Sequence, residues 1–235
     1  MEYTFIYLKI RTMRPEIKTL IEKKDYEGIG QLLANDPDLA NKGITIPYDI
    51  KCTIKAHPLH RICDAVFVKK ITDEEAIKFA KIFLIFGADI NGAAVKETED
   101  TPLLAAASLH AEQLGIFYID NGADIYYTGR LDGATALHWA AFCGRDKLVE
   151  KLIEQKAAID QPDTSYSSTP LGWAIHSLMT GDRVNAYHQV TCVKLLLKAG
   201  ADITTLNKET NNYLHSMAKE DLELKKLLNL IEDVL

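Results

Sequence analysis

Two groups of side chains have types and spacings that reactive sites use. His57, His60 and Cys63 fall at i, i+3 and i+6, and on a helix they would offer three metal ligands. His138, Cys143 and Asp146 supply a base, a thiol and a carboxylate, the ingredients of a nucleophilic site. Against the first stands the usual need of structural zinc for four closed ligands. Gly28-Ile-Gly30 lacks the third glycine and the preceding strand of a dinucleotide loop, and no phosphate loop ending in Lys-Ser or Lys-Thr occurs. Neither His-Glu-x-x-His nor Gly-x-Ser-x-Gly is present. The expectation is a protein that is not an enzyme, with no catalytic residue, cofactor or metal.

The elements that must position any such group belong to a chain of ordinary composition. Its 235 residues are 47% hydrophobic and 26% charged, enough to bury a sizeable core. A formal charge of −6 argues against a phosphate-tracking surface, so nucleic acid is not the expected partner. Cys52, Cys63, Cys143 and Cys192 are scattered without a Cys-x-x-Cys pair, which points to a reducing compartment. No apolar run approaches the roughly 18–20 residues of a membrane span. Tyr3 to Ile10, with Glu2 before it and Lys9 inside it, lacks the build of a secretory leader. A cytoplasmic monomer without a membrane partner is expected. Residues 1–12 read as an extension ahead of Met13.

Two short patterns recur along the chain. The first is Thr101-Pro-Leu-Leu-Ala-Ala-Ala107, Thr135-Ala-Leu-His-Trp-Ala-Ala141 and Thr169-Pro-Leu-Gly-Trp-Ala-Ile175, with weaker copies at His57–Cys63 and Asn212–Ala218. The second is Gly-Ala-Asp-Ile at Gly87, Gly122 and Gly200, degraded to Lys156-Ala-Ala-Ile159. Successive copies of the first pattern lie 44, 34, 34 and 43 residues apart. The two longer intervals place insertions near 66–75 and 179–189, between the first and second patterns of repeats one and four. Thr-Pro starts a helix well, because the hydroxyl caps a free N–H and proline tolerates the first turn. Leu148, Val149, Leu152 and Ile153 then share one face of a second helix. Two such short helices cannot bury their faces alone, so the units must stack.

Thr135-Ala-Leu-His-Trp-Ala-Ala141, then Gly144, Leu148-Val149 and Leu152-Ile153, resembles the helix-turn-helix unit of the ankyrin repeat family. The resemblance implies an all-α solenoid of stacked pairs joined by finger-like turns. One domain spans 13–235: a capping helix pair with a long finger over 13–52, then repeats over 53–95, 96–129, 130–163 and 164–206, and a capping repeat over 207–235. Ile17, Leu20 and Ile21, then Ile29, Leu32 and Leu33, predict the capping pair, with a break near Tyr26-Glu-Gly28. By the same resemblance His60, His138 and His215 occupy one structural position, which accounts for the histidines without chemistry. Trp139 and Trp173 share the next position and are expected in the core. Lys156 and His110 stand where the family expects glycine, and Gly172 stands where it expects histidine. With its insertion, this makes repeat four the expected softest unit.

The family most often meets partners on its concave face. This resemblance implies a non-enzymatic scaffold that binds another protein there, or alternatively an inhibitor or immunity-type protein that occludes a partner's active site. An enzyme using a small molecule or metal near an insertion is the reading from another class. Carried over residue by residue, the contact candidates are Glu97, Asp100, Leu109, Tyr127, Arg130, Leu131, Asp132, Phe142, Tyr166 and His176. Tyr127, Arg130, Leu131, Phe142 and Tyr166 stand out, because aromatic, arginine and aliphatic anchors mark interface hot spots.

Overall fold

The computed structural model describes residues 16–49, 51, 53–92, 100–181 and 186–233, without the side chains of 186 and 187. Among these residues there are helices and turns, with one isolated antiparallel bridge between Ile44 and Ala56. Helices α1 (Ile17–Glu22) and α2 (Tyr26–Asn35) form the capping pair. Five pairs follow: α3 (Pro58–Phe67) with α4 (Asp73–Ile85), α5 (Pro102–Ser108) with α6 (Glu112–Asp120), α7 (Ala136–Phe142) with α8 (Asp146–Glu154), α9 (Pro170–Thr180) with α10 (Ala186–Lys198), and α11 (Lys208–Glu220) with α12 (Leu222–Glu232). First helices pack on first helices and second on second, giving two layers around one continuous core. The all-α solenoid is as expected.

Local chemistry explains the starts and stops. Thr101 and Thr169 accept the amides of Leu104 and Gly172, with proline in the first turn of each helix. His57 does the same work for α3: its Nδ1 accepts the Leu59 amide at 3.2 Å and its Nε2 meets Asn41 Oδ1 at 3.1 Å. Burial lowers its pKa to about 4, so the ring is neutral. In the capping pair the break falls at Lys23–Asp25, ahead of Tyr26-Glu-Gly28, because Asp25 caps α2 by accepting the Gly28 amide at 2.8 Å. A Cβ on Gly28 would run into that carboxylate. The last first-layer helix begins four residues before Asn212, capped by Asn207.

The insertions lengthen helices. Helices α3 and α9 have 10 and 11 residues against 7 in α5 and α7. Their partners α4 and α10 have 13 against 9 in α6 and α8. Residues 182–185 of the second insertion lie outside the described residues. Lys156 and His110 adopt the left-handed conformation of the glycines they replace, at φ +64° and +65°.

Three sets of bonds stitch repeat to repeat. Asp73, first residue of α4, accepts the amides of Gln113 and Leu114 at 3.1 Å. Glu112, first residue of α6, likewise accepts those of Lys147 and Leu148. Each acid thus closes the N-terminus of the next outer helix, whose own preceding residues, Ala111 and Arg145, supply no side-chain cap. In the tails, Asn41 accepts from Asp89, Asn91 from Asp124 and Asp160 from Asp202 through their backbone amides. Tyr126 stands in that row after Asn91, and its phenol donates instead to the Lys156 carbonyl at 3.3 Å. On the inner layer, Cys143, Ser177 and Tyr213 donate to Ser108, Phe142 and Leu178 carbonyls one repeat earlier. At the C-terminal end Lys225 and Asn229 are exposed where α8 has Val149 buried and Ile153 half-buried, so α12 closes the stack with polar residues.

Candidate functional site

Fingers three and four are tied rigidly to their neighbours. The Asp100 carboxylate accepts the Arg130 amide at 3.2 Å and faces the Tyr127 phenol at 3.5 Å. Asp132 accepts the Ala134 amide through Oδ1 at 2.9 Å, while its carbonyl accepts the Thr164 amide at 2.8 Å. Gly133, at φ +70°, leaves no room for a Cβ against Thr164. Asp163 is the keystone of finger four. Its buried carboxylate accepts the amides of Ser165, Tyr166 and Ser168 and, at 2.9 Å, the Trp173 indole N–H. Burial pushes its pKa up, but the indole and the three amides outweigh that and hold it below the ordinary carboxylate range.

These ties decide which expected contact residues face water. Leu131 is 93% exposed and Tyr166 76% exposed, at the tips of adjacent fingers. Arg130 and His176 are also exposed, whereas Asp100, Leu109, Tyr127, Asp132 and Phe142 are half-buried. Asp100, Tyr127 and Asp132 are engaged in the finger ties themselves. Glu97 lies outside the described residues. Phe142 stacks edge-on with Trp139 and with Trp173, centroids 6.1 and 5.8 Å apart, and the two indoles meet at 5.1 Å. Trp173 is buried as expected, and Trp139 is half-buried. The sequence reading missed Asp163. Its signal was an aspartate followed by six hydroxyl residues, an Asx-turn composition.

The groups first singled out for chemistry are otherwise occupied. His57 caps α3, and Cys63 is fully buried, its thiol pushed well up by burial with Asp64 and Asp73 adding to it. His138 accepts the Thr135 amide on Nδ1 at 3.0 Å, and its Nε2 reaches the Ser168 carbonyl at 3.1 Å. Cys143 turns to the Ser108 carbonyl, with burial raising its pKa to about 11, and Asp146 pairs with His188 at 3.3 Å. Of the three histidines at one repeat position, His138 makes the two backbone ties, whereas the His60 ring lies 3.8 Å from Asp64 and that of His215 3.3 Å from Glu232.

With helix pairs, fingers and trans-repeat bonds in place, comparison with known proteins gives the class. A family model for ankyrin repeats matches residues 68–163 and 111–207, more than half of the chain. The chain belongs to the ankyrin repeat family, whose repeats serve as protein–protein interaction scaffolds. Among individual relatives, it is 33% identical over 134 residues to the palmitoyltransferase ZDHHC13 of Mus musculus, covering 53% of this chain and 20% of that protein. It is 31% identical over 110 residues to the palmitoyltransferase ZDHHC17 of Danio rerio, covering 45% of this chain and 16% of that one. Ankyrin repeat and SOCS box protein 6 of Mus musculus matches at 26% over 127 residues, 54% of this chain and 28% of the relative. The chain spans about a fifth of the palmitoyltransferases it matches. Among the described residues no helix is long and apolar enough to cross a membrane.

Proposed function

We propose that this protein is a non-enzymatic scaffold in the cytoplasm. As a monomer, it grips a partner protein with fingers three and four and the inner helices behind them. The observation that carries this reading is the contrast among tyrosines. The phenols of Tyr48, Tyr118, Tyr126, Tyr127 and Tyr213 donate to or face groups elsewhere in the chain, and the Tyr26 ring packs on Phe79 at 4.4 Å. Tyr166 is held out by its backbone, its phenol without a hydrogen bond among the described residues, on the finger next to that of Leu131. A rigid loop that presents an aromatic and an aliphatic side chain to water supports a preorganised contact surface. Arg130, Phe142 and His176 would complete it. The likeness to palmitoyltransferases covers about a fifth of those proteins and supports the binding role rather than acyl transfer.

Affinity capture from lysate of the natural host tests this reading, with a Leu131→Ala/Tyr166→Ala variant run beside the native chain. Both residues are exposed, so the melting temperature should not move. A protein retained by the native chain and lost by the variant is the expected result. Equal capture by both would remove the finger surface from consideration.

A further inference from the structure

The edge opposite the fingers carries exposed side chains that the proposed concave surface does not use. There the first helices end and the chain turns into the second layer. In repeat three that turn is made through a left-handed residue, Gly144 at φ +67°. Repeats one and two place Lys69 at +58° and His110 at +65° instead. Glycine would be cheaper at both positions, so these side chains are held on the edge against a backbone cost. Around them, Phe67 is 51% exposed and Val68 45% exposed. The Phe67 ring meets His110 edge-on at 5.7 Å, and Arg145 Nη2 donates to His110 Nδ1 at 3.2 Å. One contiguous row thus runs across three repeats, from an apolar pair through an imidazole to a guanidinium.

Three acids of this edge are already in use. Asp73 and Glu112 accept helix amides, and Asp146 pairs with His188. Glu74 is exposed. Against it stand Lys69 and Arg145, neither with an ion pair among the described residues, and Lys70, which lies 6.0 Å over the Tyr48 ring. Burial lowers the His110 pKa, and Arg145 and Lys69 lower it further, so the field at its ring is positive. In a chain of net charge −6, a cationic row beside exposed apolar groups is a local exception.

We infer that the Phe67–Lys69–His110–Arg145 edge is a second docking surface, which takes an acidic protein segment carrying at least one apolar side chain. This goes beyond the concave reading and does not depend on it. A row that crosses three repeats in line suits a linear segment. Apolar contact with Phe67 and Val68 anchors such a segment, and carboxylates along it meet Lys69 and Arg145.

The test uses the full chain and an array of 12-residue peptides in which Asp and Glu alternate with Leu, Phe and Val. Matched peptides carry Asn and Gln in place of the acids. Fluorescence polarisation should show binding of acidic peptides that weakens at least fivefold from 50 to 200 mM salt, with neutral peptides weaker by tenfold or more. The decisive variants are Lys69→Gly and His110→Gly, which relieve the left-handed residues. They should melt higher than the native chain and bind the peptide at least fivefold more weakly, a combination that misfolding cannot produce. NMR titration of the His110 ring should show its pKa rising when the peptide binds. Glycine variants that bind as tightly as the native chain would overturn the proposal, as would neutral peptides that bind equally. Loss of binding in Leu131→Ala/Tyr166→Ala would move the peptide to the concave face and end the proposal. Retention on phosphatidylcholine vesicles with 30% phosphatidylserine, in place of peptide binding, would assign the row to membranes instead.

Discussion

Repeats three and four begin alike, with Thr-x-Leu-x-Trp, yet their first helices hold finger four, which lies between them, by different means. In repeat three the closing group sits on the helix: the neutral His138 ring links Thr135 to the carbonyl of Ser168 on finger four. In repeat four Gly172 stands at that position, and the closing group sits on the finger. There the Asp163 carboxylate gathers three amides of its own loop and reaches the helix through Trp173. Both helices donate to the finger, His138 to a backbone carbonyl and Trp173 to a side-chain carboxylate. The fold demands that the finger amides and helix start be satisfied, not that histidine do it.

The largest test of this equivalence is to remove each closing group. Asp163→Ala strands the buried indole N–H and three amides and should cost about 4 kcal/mol. His138→Ala removes neutral bonds and should cost about 2 kcal/mol. Urea unfolding followed by tryptophan fluorescence measures both, and the reverse order would break the comparison.

Acid should separate the two closures next. Burial holds His138 and His57 below the ordinary 6.5, with His57 at about 4. The unfolded chain therefore takes up these protons first, and stability falls as pH drops from about 6.5. His57 alone removes about 3 kcal/mol of stability by about pH 4. The Asp163 contribution persists above the ordinary carboxylate value of 3.8 and fades only as pH falls through its lower folded pKa. Denaturation curves should show two stages, with His57→Thr shrinking the first and Asp163→Asn shrinking the second.

Smaller effects sharpen the same contrast. A Cβ on Gly172 would meet the Ser168 hydroxyl, so Gly172→Ala alone should be close to neutral. Together with Ser168→Ala it should stabilise by roughly 0.5–1 kcal/mol, read as a higher melting temperature. Smallest of all, Cys143 reaches the Ser108 carbonyl at 3.7 Å where Ser177 reaches Phe142 at 2.8 Å. Cys143→Ser should therefore gain about 0.5 kcal/mol in the same melting experiment.

What was legible from sequence follows from the range of the forces involved. Thr-Pro starts and Gly-Ala-Asp tails act within a few residues of themselves, so the repeats and both layers could be read off. The ties between repeats could not, because they join residues 27 to 59 positions apart, as between Tyr127 and Asp100 or Tyr118 and Leu59. For that reason Tyr127 and Asp132 look like free contact residues in sequence and prove half-buried in the finger ties to Asp100 and Thr164. Phe142 likewise leans on a tryptophan one repeat away. Repeat four looks soft by its glycine and insertion, whereas the bonds through Asp163, Ser177 and Gln189 oppose that. Amide exchange over 171–180 compared with 137–153 would rank the two repeats.

The acids that close neighbouring helices give the molecule a direction. Helix α6 depends on Asp73 and helix α8 on Glu112, and in both cases the accepting carboxylate lies earlier in the chain. A polypeptide made from its N-terminus delivers each cap before the helix that needs it, so every new repeat docks onto a prepared surface as it leaves the ribosome. The same asymmetry makes shortening from the two ends unequal. Repeats cut from the C-terminus leave the remaining outer helices capped, whereas repeats cut from the N-terminus leave the next one open.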